Sequence, residues 1–236
     1  MLTVASARIG KSTIVRILAW LFEAVMKRPL RRRSEREPSR MRELEPNVEH
    51  AASPSASYPV ELVSVVSLRD GSVLRLRPIR PDDEPLLESL FTRLSPQTVY
   101  QRFFASHKRL PKTWYHDFAN VDYARRFALV AEEAAADGVR LRGVARWEPS
   151  DEDEAVELAI VIEDAWQGRG LGTTMLQRLF EIARARGIHR FAADVLAEND
   201  RMLRTFRSLT EIRSSTASHG VLRLCLVPRA EAIAVA

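Results

Sequence analysis

The first half of the folded part of the chain predicts one strand followed by three helices. Apolar and basic side chains alternate at Leu74-Arg75-Leu76-Arg77, a pattern typical of a half-buried strand. Helical spacing of apolar residues follows the acidic turn Asp82-Asp83-Glu84 and returns after Ser95-Pro96. A third short helix is predicted to begin near Pro111.

The second half alternates apolar runs of strand length with two amphipathic helices. The helices are predicted at 171–186 and 201–209. The strands are predicted at 127–132, 141–147, 155–162, 190–196 and 221–227. Strands interleaved with helices indicate the α/β (α+β) class, with a mixed central sheet flanked by helices. We therefore expect one folded domain over residues 59–236.

Residues 1–58 differ from the rest in pattern and in charge. Segment 12–26 predicts an amphipathic helix, which is too short and too charged to span a bilayer, and 34–58 has the composition of a disordered linker. Trp20 and Phe22 lie close to the basic cluster 27–33, as in helices that contact an anionic membrane surface or a partner protein. The alternative is a short helix with a solvated basic tail.

The net charge of +5 resides in this N-terminal arm. Residues 1–58 contain 11 Lys and Arg against 6 Asp and Glu, whereas the remainder contains 25 of each. A domain with balanced charge lacks the basic surface that binds a polyanion, so we expect no nucleic-acid partner.

Cysteine and histidine usage restricts the chemistry further. Cys225 is the only cysteine, which excludes an intrachain disulfide and favours a cytoplasmic location. The five histidines are scattered without the spacing of metal ligands, so no metal is expected.

The segment 167–173 combines three glycines with the start of a helix. Glycine lets the backbone approach a ligand closely, and the free amides of a helix N-terminus bind anionic oxygens. A pyrophosphate fits such a loop, and an arginine within it adds a cation. Glycines at alternate positions argue against the dinucleotide-binding fingerprint, which leaves two residues before its third glycine. The residues concerned are Gln167, Gly168, Arg169, Gly170, Leu171, Gly172 and Thr173.

This loop resembles the acetyl-coenzyme A loop of the GNAT superfamily of N-acetyltransferases. The segments 76–83, 100–104 and 197–203 extend the resemblance, which covers about 74–228 and is strongest to bacterial protein lysine acetyltransferases. It implies a mostly antiparallel sheet, acetyl-CoA as co-substrate and a protein lysine as acceptor. It also implies an oxyanion-stabilising backbone amide at Ile162 and a contact between Asn199 and the pantetheine arm. From the residues alone, Asn199 is equally a helix cap before Arg201.

Glu157 is the candidate catalytic base. It is the one ionisable residue in the apolar run 156–162, and a carboxylate buried there needs a partner or a function. The resemblance agrees, since lysine acetyltransferases of this type carry glutamate at this strand position. The alternative is a structural Glu157 that pairs with an arginine such as Arg146.

Three positions depart from the family's pattern. Phe206 stands where many relatives have a tyrosine general acid, and Thr210-Glu211 replace a Gly-Phe pair, so the family's helix stop and an apolar packing residue are expected to be lost. These departures leave open a catalytically degenerate CoA-binding regulatory module. A small-molecule amine N-acyltransferase also stays open, because fold and donor loop say little about the acceptor.

Overall fold

The computed structural model describes residues 57–233 except 137, 151 and 153, so the predicted helix 12–26 and almost all of the linker lie outside the described residues. The strands are β1 Ser64–Ser67, β2 Val73–Pro78, β3 Phe127–Ala135, β4 Gly138–Pro149, β5 Val156–Ile162, β6 Phe191–Leu196, β7 Thr210–Ser218 and β8 Val221–Pro228. The α-helices are α1 Glu84–Thr92, α2 Pro96–Phe103, α3 Lys112–Ala119, α4 Leu171–Ala185, α5 Asp200–Leu209 and α6 Ala230–Ile233.

All eight strands form one sheet in the order β1-β2-β3-β4-β5-β6-β8-β7. Every neighbouring pair is antiparallel except β5 and β6, which are parallel. The expected mixed, mostly antiparallel sheet is therefore confirmed.

The parallel pair separates soon after it begins. Only Val156↔Phe191 and Glu157↔Ala192 are paired, although β5 has seven residues and β6 has six. The backbones then diverge and leave the facing edges of 158–162 and 193–196 without each other as partners. We call this opening the fork, and Glu157 lies at its vertex.

Both faces of the sheet are covered. One apolar cluster joins α4 and α5 to strand residues such as Trp147 and Leu158, and a second joins α1–α3 to residues such as Val130 and Val144. Burial on both faces explains why the central strands are almost continuous apolar runs. Within the described residues, no helix is long and apolar enough to cross a membrane.

The pattern of apolar residues missed the two strands at the edges of the sheet, β1 and β7. Helix α5 passes directly into β7 through Thr210, which is buried and extended with φ −136°. The Thr210 hydroxyl donates to the Phe206 carbonyl oxygen at 2.7 Å. The expectation that the helix stop is lost without glycine was therefore wrong, because this hydroxyl closes the last turn.

Replacing Thr210 by valine is expected to lower the free energy of unfolding by about 1 kcal/mol, since one buried hydrogen bond is lost and the shape is kept. Denaturant unfolding monitored by circular dichroism measures the change. Unchanged stability would show that the hydroxyl does not stabilise the end of the helix.

Candidate active site

A cleft of about 990 Å³ occupies the fork and continues to the start of α4. Its walls are the β5 segment 158–162, the β6 segment 193–195, the glycine loop, the second half of α2 and the first turns of α5. The structure therefore brings the predicted loop, Ile162 and Asn199 to one cavity.

The cleft exposes the hydrogen-bonding edge of β5. The Val156 amide donates to Arg190 on the β6 side at 3.1 Å, whereas the Glu163 amide donates to Arg142 on the β4 side at 2.9 Å. Because backbone groups alternate along a strand, the amides of Leu158, Ile160 and Ile162 point to the β6 side. The Glu157↔Ala192 pairing occupies the Leu158 amide, so the amides of Ile160 and Ile162 face the open fork. An extended ligand can bind this edge as an additional strand would.

The glycine loop adopts a conformation that its glycines permit. Gly168 and Gly170 have φ of +77° and +92°, and an added Cβ would meet open space at either position, so the backbone angle is what requires glycine. Gly170 is the N-cap of α4 and contributes no side-chain cap to the free amides of the first turn. These amides give the loop its capacity for an anion.

The remaining loop residues take different roles. Gly172 and Thr173 line the cleft, whereas the Leu171 side chain is fully buried in the core and offers only its backbone. Arg169 Nη1 lies 3.4 Å from Asp70 Oδ2, and the Arg169 guanidinium stacks 4.8 Å from the Trp166 ring centre. These contacts hold the Arg169 cation at the loop.

Gln167 connects the loop to three parts of the molecule. Its Nε2 donates to the Ile162 carbonyl at 3.0 Å and to Thr98 Oγ1 at 3.1 Å, and its Oε1 accepts from Arg201 Nη1 at 2.6 Å. Gln167 therefore fixes the loop against β5, α2 and α5 at once.

Asp164 holds the start of α2 beside the loop. Its carboxylate accepts from the Ser95 amide and hydroxyl and from the Thr98 hydroxyl, at 2.6–2.8 Å. Burial alone would raise the pKa of Asp164, but these hydrogen bonds lower it. The charged carboxylate thus anchors one wall of the cleft.

Glu157 is 2% exposed and forms an ion pair at the vertex of the fork. Its Oε2 accepts from Arg223 Nη1 at 3.0 Å, and Arg223 also contacts Glu152 at 2.8 Å and Asp194 at 3.1 Å. Burial opposes the charge of Arg223, but the three carboxylates raise its pKa. Three carboxylates thus surround one guanidinium at this end of the cleft.

The sequence suggested Arg146 as the alternative partner of Glu157, and the structure pairs Glu157 with Arg223, which the sequence did not indicate. Arg146 is ion-paired with Glu148 on its own strand. Arg223 is 66 residues away from Glu157 and comes beside it through β6–β8 pairing. The available signal was that Arg223 is the only charged residue in the apolar run 221–227.

Asn199 is a helix cap in the structure, and its place in the cleft is compatible with the contact to the pantetheine arm that the resemblance implies. Its Oδ1 accepts from the Met202 amide at 3.1 Å and so caps α5, and the residue also lines the cleft. Phe206, one turn beyond Met202, is buried and lines the same cleft. It closes the fork with an apolar ring where the family's pattern has a hydroxyl.

Comparison with known proteins identifies relatives of this arrangement. A family model described as an acetyltransferase (GNAT) domain matches residues 74–209. An acetyltransferase of Pseudomonas aeruginosa is 31% identical over 157 residues, which cover 66% of this chain and 84% of that protein.

Two further relatives carry the name Pat. The acetyltransferase Pat of Mycolicibacterium smegmatis is 32% identical over 134 residues, 57% of this chain, and the match spans only 40% of that relative's length. The crystal structure of the GNAT domain of S. lividans PAT superposes with a TM-score of 0.63 at 33% identity, covering 71% of this chain and 98% of that domain.

Proposed function

This chain belongs to the GNAT acetyltransferase family, and from that premise we propose that it transfers the acetyl group of acetyl-CoA to the side-chain amine of a protein lysine. One observation carries the proposal. A cleft lined by an anion-binding loop and a free strand edge extends to Leu158. The next residue along the strand is the buried Glu157, which is not itself among the lining residues, so the base is adjacent to the donor cleft.

The donor is held by backbone more than by side chains. The amides of 168–173 bind the pyrophosphate, and Arg169 adds positive charge. The pantetheine arm lies along the β5 edge beyond the residues that pair with β6. There the amide groups of the arm form hydrogen bonds with β5 as a neighbouring strand would, and Asn199 contacts the arm from α5. This orientation directs the thioester toward the vertex of the fork.

The transfer is a direct attack of the amine on the thioester carbonyl. Glu157, directly or through a water molecule, accepts the proton of the lysine ammonium, whose ordinary pKa of about 10.4 leaves it charged at neutral pH. The fork-facing amide of Ile160, which lies between Ile162 and the vertex, donates to the oxyanion as the C–N bond forms. Ile162 lies about 16 Å from Glu157 along the extended strand, so its amide is placed to contact the pantetheine arm. The C–S bond then breaks, and coenzyme A leaves as a thiolate. A thiol pKa of about 8.5 makes that departure feasible with Phe206 in the tyrosine position.

The charge around the vertex favours a cationic acceptor. Glu152, Glu157 and Asp194 gather around Arg223, and carboxylates attract an ammonium group. The resemblance of the segments 76–83, 100–104 and 197–203 to bacterial protein lysine acetyltransferases supports a protein as the bearer of that ammonium.

Arg223 positions Glu157, so Arg223→Gln is expected to lower kcat about tenfold while the KM for acetyl-CoA changes little. Steady-state kinetics measured by thiol release checks this split, and Arg223→Lys, which retains the charge, is expected to recover part of the rate. An unchanged kcat in Arg223→Gln would contradict the positioning role.

The proposal is tested by incubating the full chain with acetyl-CoA and peptides that contain one lysine or, as the matched control, one arginine. Mass spectrometry is expected to find one acetyl group on the lysine peptide alone. Acetylation of small amines but of no lysine peptide would establish the small-molecule acyltransferase, and binding of acetyl-CoA without turnover on any amine would establish the regulatory module.

A further inference from the structure

Arg102 lies in the last turn of α2, at the boundary between two cavities. Its side chain lines the main cleft and also a neighbouring apolar pocket of about 50 Å³, whose walls include Phe91, Phe118 and Val161. The residue that ends the helix, Phe104, has φ +54°, which is uncommon for a non-glycine residue, and also lines the main cleft.

The guanidinium of Arg102 forms neither a hydrogen bond nor an ion pair with any residue of the part of the chain that the structure describes, and it lies 5.0 Å from the centre of the Phe103 ring. Its neighbours differ, since Arg146 pairs with Glu148 and Arg223 contacts three carboxylates. Arg102 is thus a cation at the wall of the cleft that is available to a ligand.

The Arg102 side chain is half-buried, and its surroundings disfavour its positive charge. Desolvation and the neighbouring charge of Arg146 lower the pKa of Arg102 to about 10, and the carboxylates of Glu157 and Glu148 oppose that shift only in part. A partly desolvated guanidinium gains most from an anion that forms two parallel hydrogen bonds with it, as a carboxylate does.

The position of Arg102 indicates that the anion belongs to the acceptor and not to coenzyme A. Helix α2 starts at the loop end of the cleft, where Thr98 contacts Asp164 and Gln167. Arg102 lies one turn further on, where it shares a pocket with Ala159 of β5 and is within electrostatic reach of Glu157. The phosphate-binding amides follow Ile162, at the opposite end of β5. An anion at Arg102 therefore arrives with the amine that Glu157 deprotonates.

We propose that Arg102 forms a carboxylate-binding subsite for the acceptor, so that the enzyme selects lysines that have an Asp or Glu neighbour. The inference rests on the proposed function and adds its specificity. The carboxylates at the vertex attract the ammonium, and Arg102 binds the neighbouring carboxylate, so an acceptor that carries both charges is complementary to both groups.

The test compares acceptors that differ in one carboxylate. A lysine peptide with glutamate at one of the four flanking positions is compared with its glutamine counterpart, and Nα-acetyl-lysine is compared with its amide. For wild type, kcat/KM is expected to be on the order of 10-fold higher for the carboxylate member of at least one pair. Arg102→Gln is expected to abolish that preference, whereas Arg109→Gln, on the exposed loop after α2, retains it.

Each result decides between the two proposals. Equal rates within all pairs for wild type, or a preference that survives Arg102→Gln, would overturn the subsite. An Arg102-dependent preference for Nα-acetyl-lysine with no turnover of any peptide would retain the subsite and reject the protein acceptor.

Discussion

Replacing Glu157 by glutamine is expected to lower kcat by about two to four orders of magnitude while the affinity for acetyl-CoA stays within about twofold of wild type. The amide cannot accept the proton of the lysine ammonium, whereas the loop and the β5 edge that bind the donor are unchanged. Arg223 keeps Glu152 and Asp194 as partners, so the variant is expected to fold. Thiol release and calorimetric titration with acetyl-CoA measure the two quantities.

Glu148→Gln is the matched control for that experiment. Glu148 lies directly across from Glu157 on β4, is mostly buried and forms ion pairs with Arg126 and Arg146. The same chemical change is therefore made one strand away from the fork, and kcat is expected to stay within a few-fold of wild type. A rate for Glu157→Gln no lower than that of Glu148→Gln would contradict the role of Glu157 as base.

The double substitution Gly168→Ala/Gly170→Ala is expected to raise the Kd for acetyl-CoA on the order of 100-fold. Each alanine must adopt a left-handed backbone at a cost of roughly 1–2 kcal/mol, and relief of that strain turns the loop amides away from the pyrophosphate. Calorimetric titration of the folded variant measures the loss.

Gly187→Ala/Gly220→Ala separates this effect from general destabilisation. Both glycines have positive φ, +75° and +79°, with open space around an added Cβ, and neither lines the cleft. This control is expected to lose a similar amount of stability and to bind acetyl-CoA as wild type does. Equal affinities in the two double variants would show that the loop conformation does not determine donor binding.

The central fold was predictable because its signals are strong and local. The strands β3, β4, β5, β6 and β8 are apolar runs bounded by turn residues, and α4 has a glycine at its start and one shortly after its end. The loop 167–173 stood out by its glycine spacing, and the structure brings it to the same cleft as Ile162 and Asn199.

The edge strands were missed for a physical reason. From Arg213 to Ser218 the side chains of β7 are all exposed, so no alternation of apolar and polar residues marks the strand. Strand β1 has four residues, of which Val65 is 68% exposed. Both strands are specified by pairing with a neighbour and not by burial of a face, and pairing leaves little trace in a single sequence.

The partners within the site required the fold. Arg223 contacts Glu157 because a single strand, β6, lies between β5 and β8 in the sheet. Arg102 lies near the vertex because Asp164 holds the opposite end of α2 in place. Residue types indicated which groups needed partners, but they did not indicate which of 36 lysines and arginines would supply them.

Amide hydrogen exchange with and without acetyl-CoA tests most directly the claim that the fork holds the donor. Slower exchange on acetyl-CoA binding is expected for the amides of Ile160 and Ile162 and for those of the loop 168–173, with little change in β7. Saturating acetyl-CoA that leaves exchange in 158–162 and 168–173 unaltered would contradict the account, because the donor would then bind elsewhere or not at all.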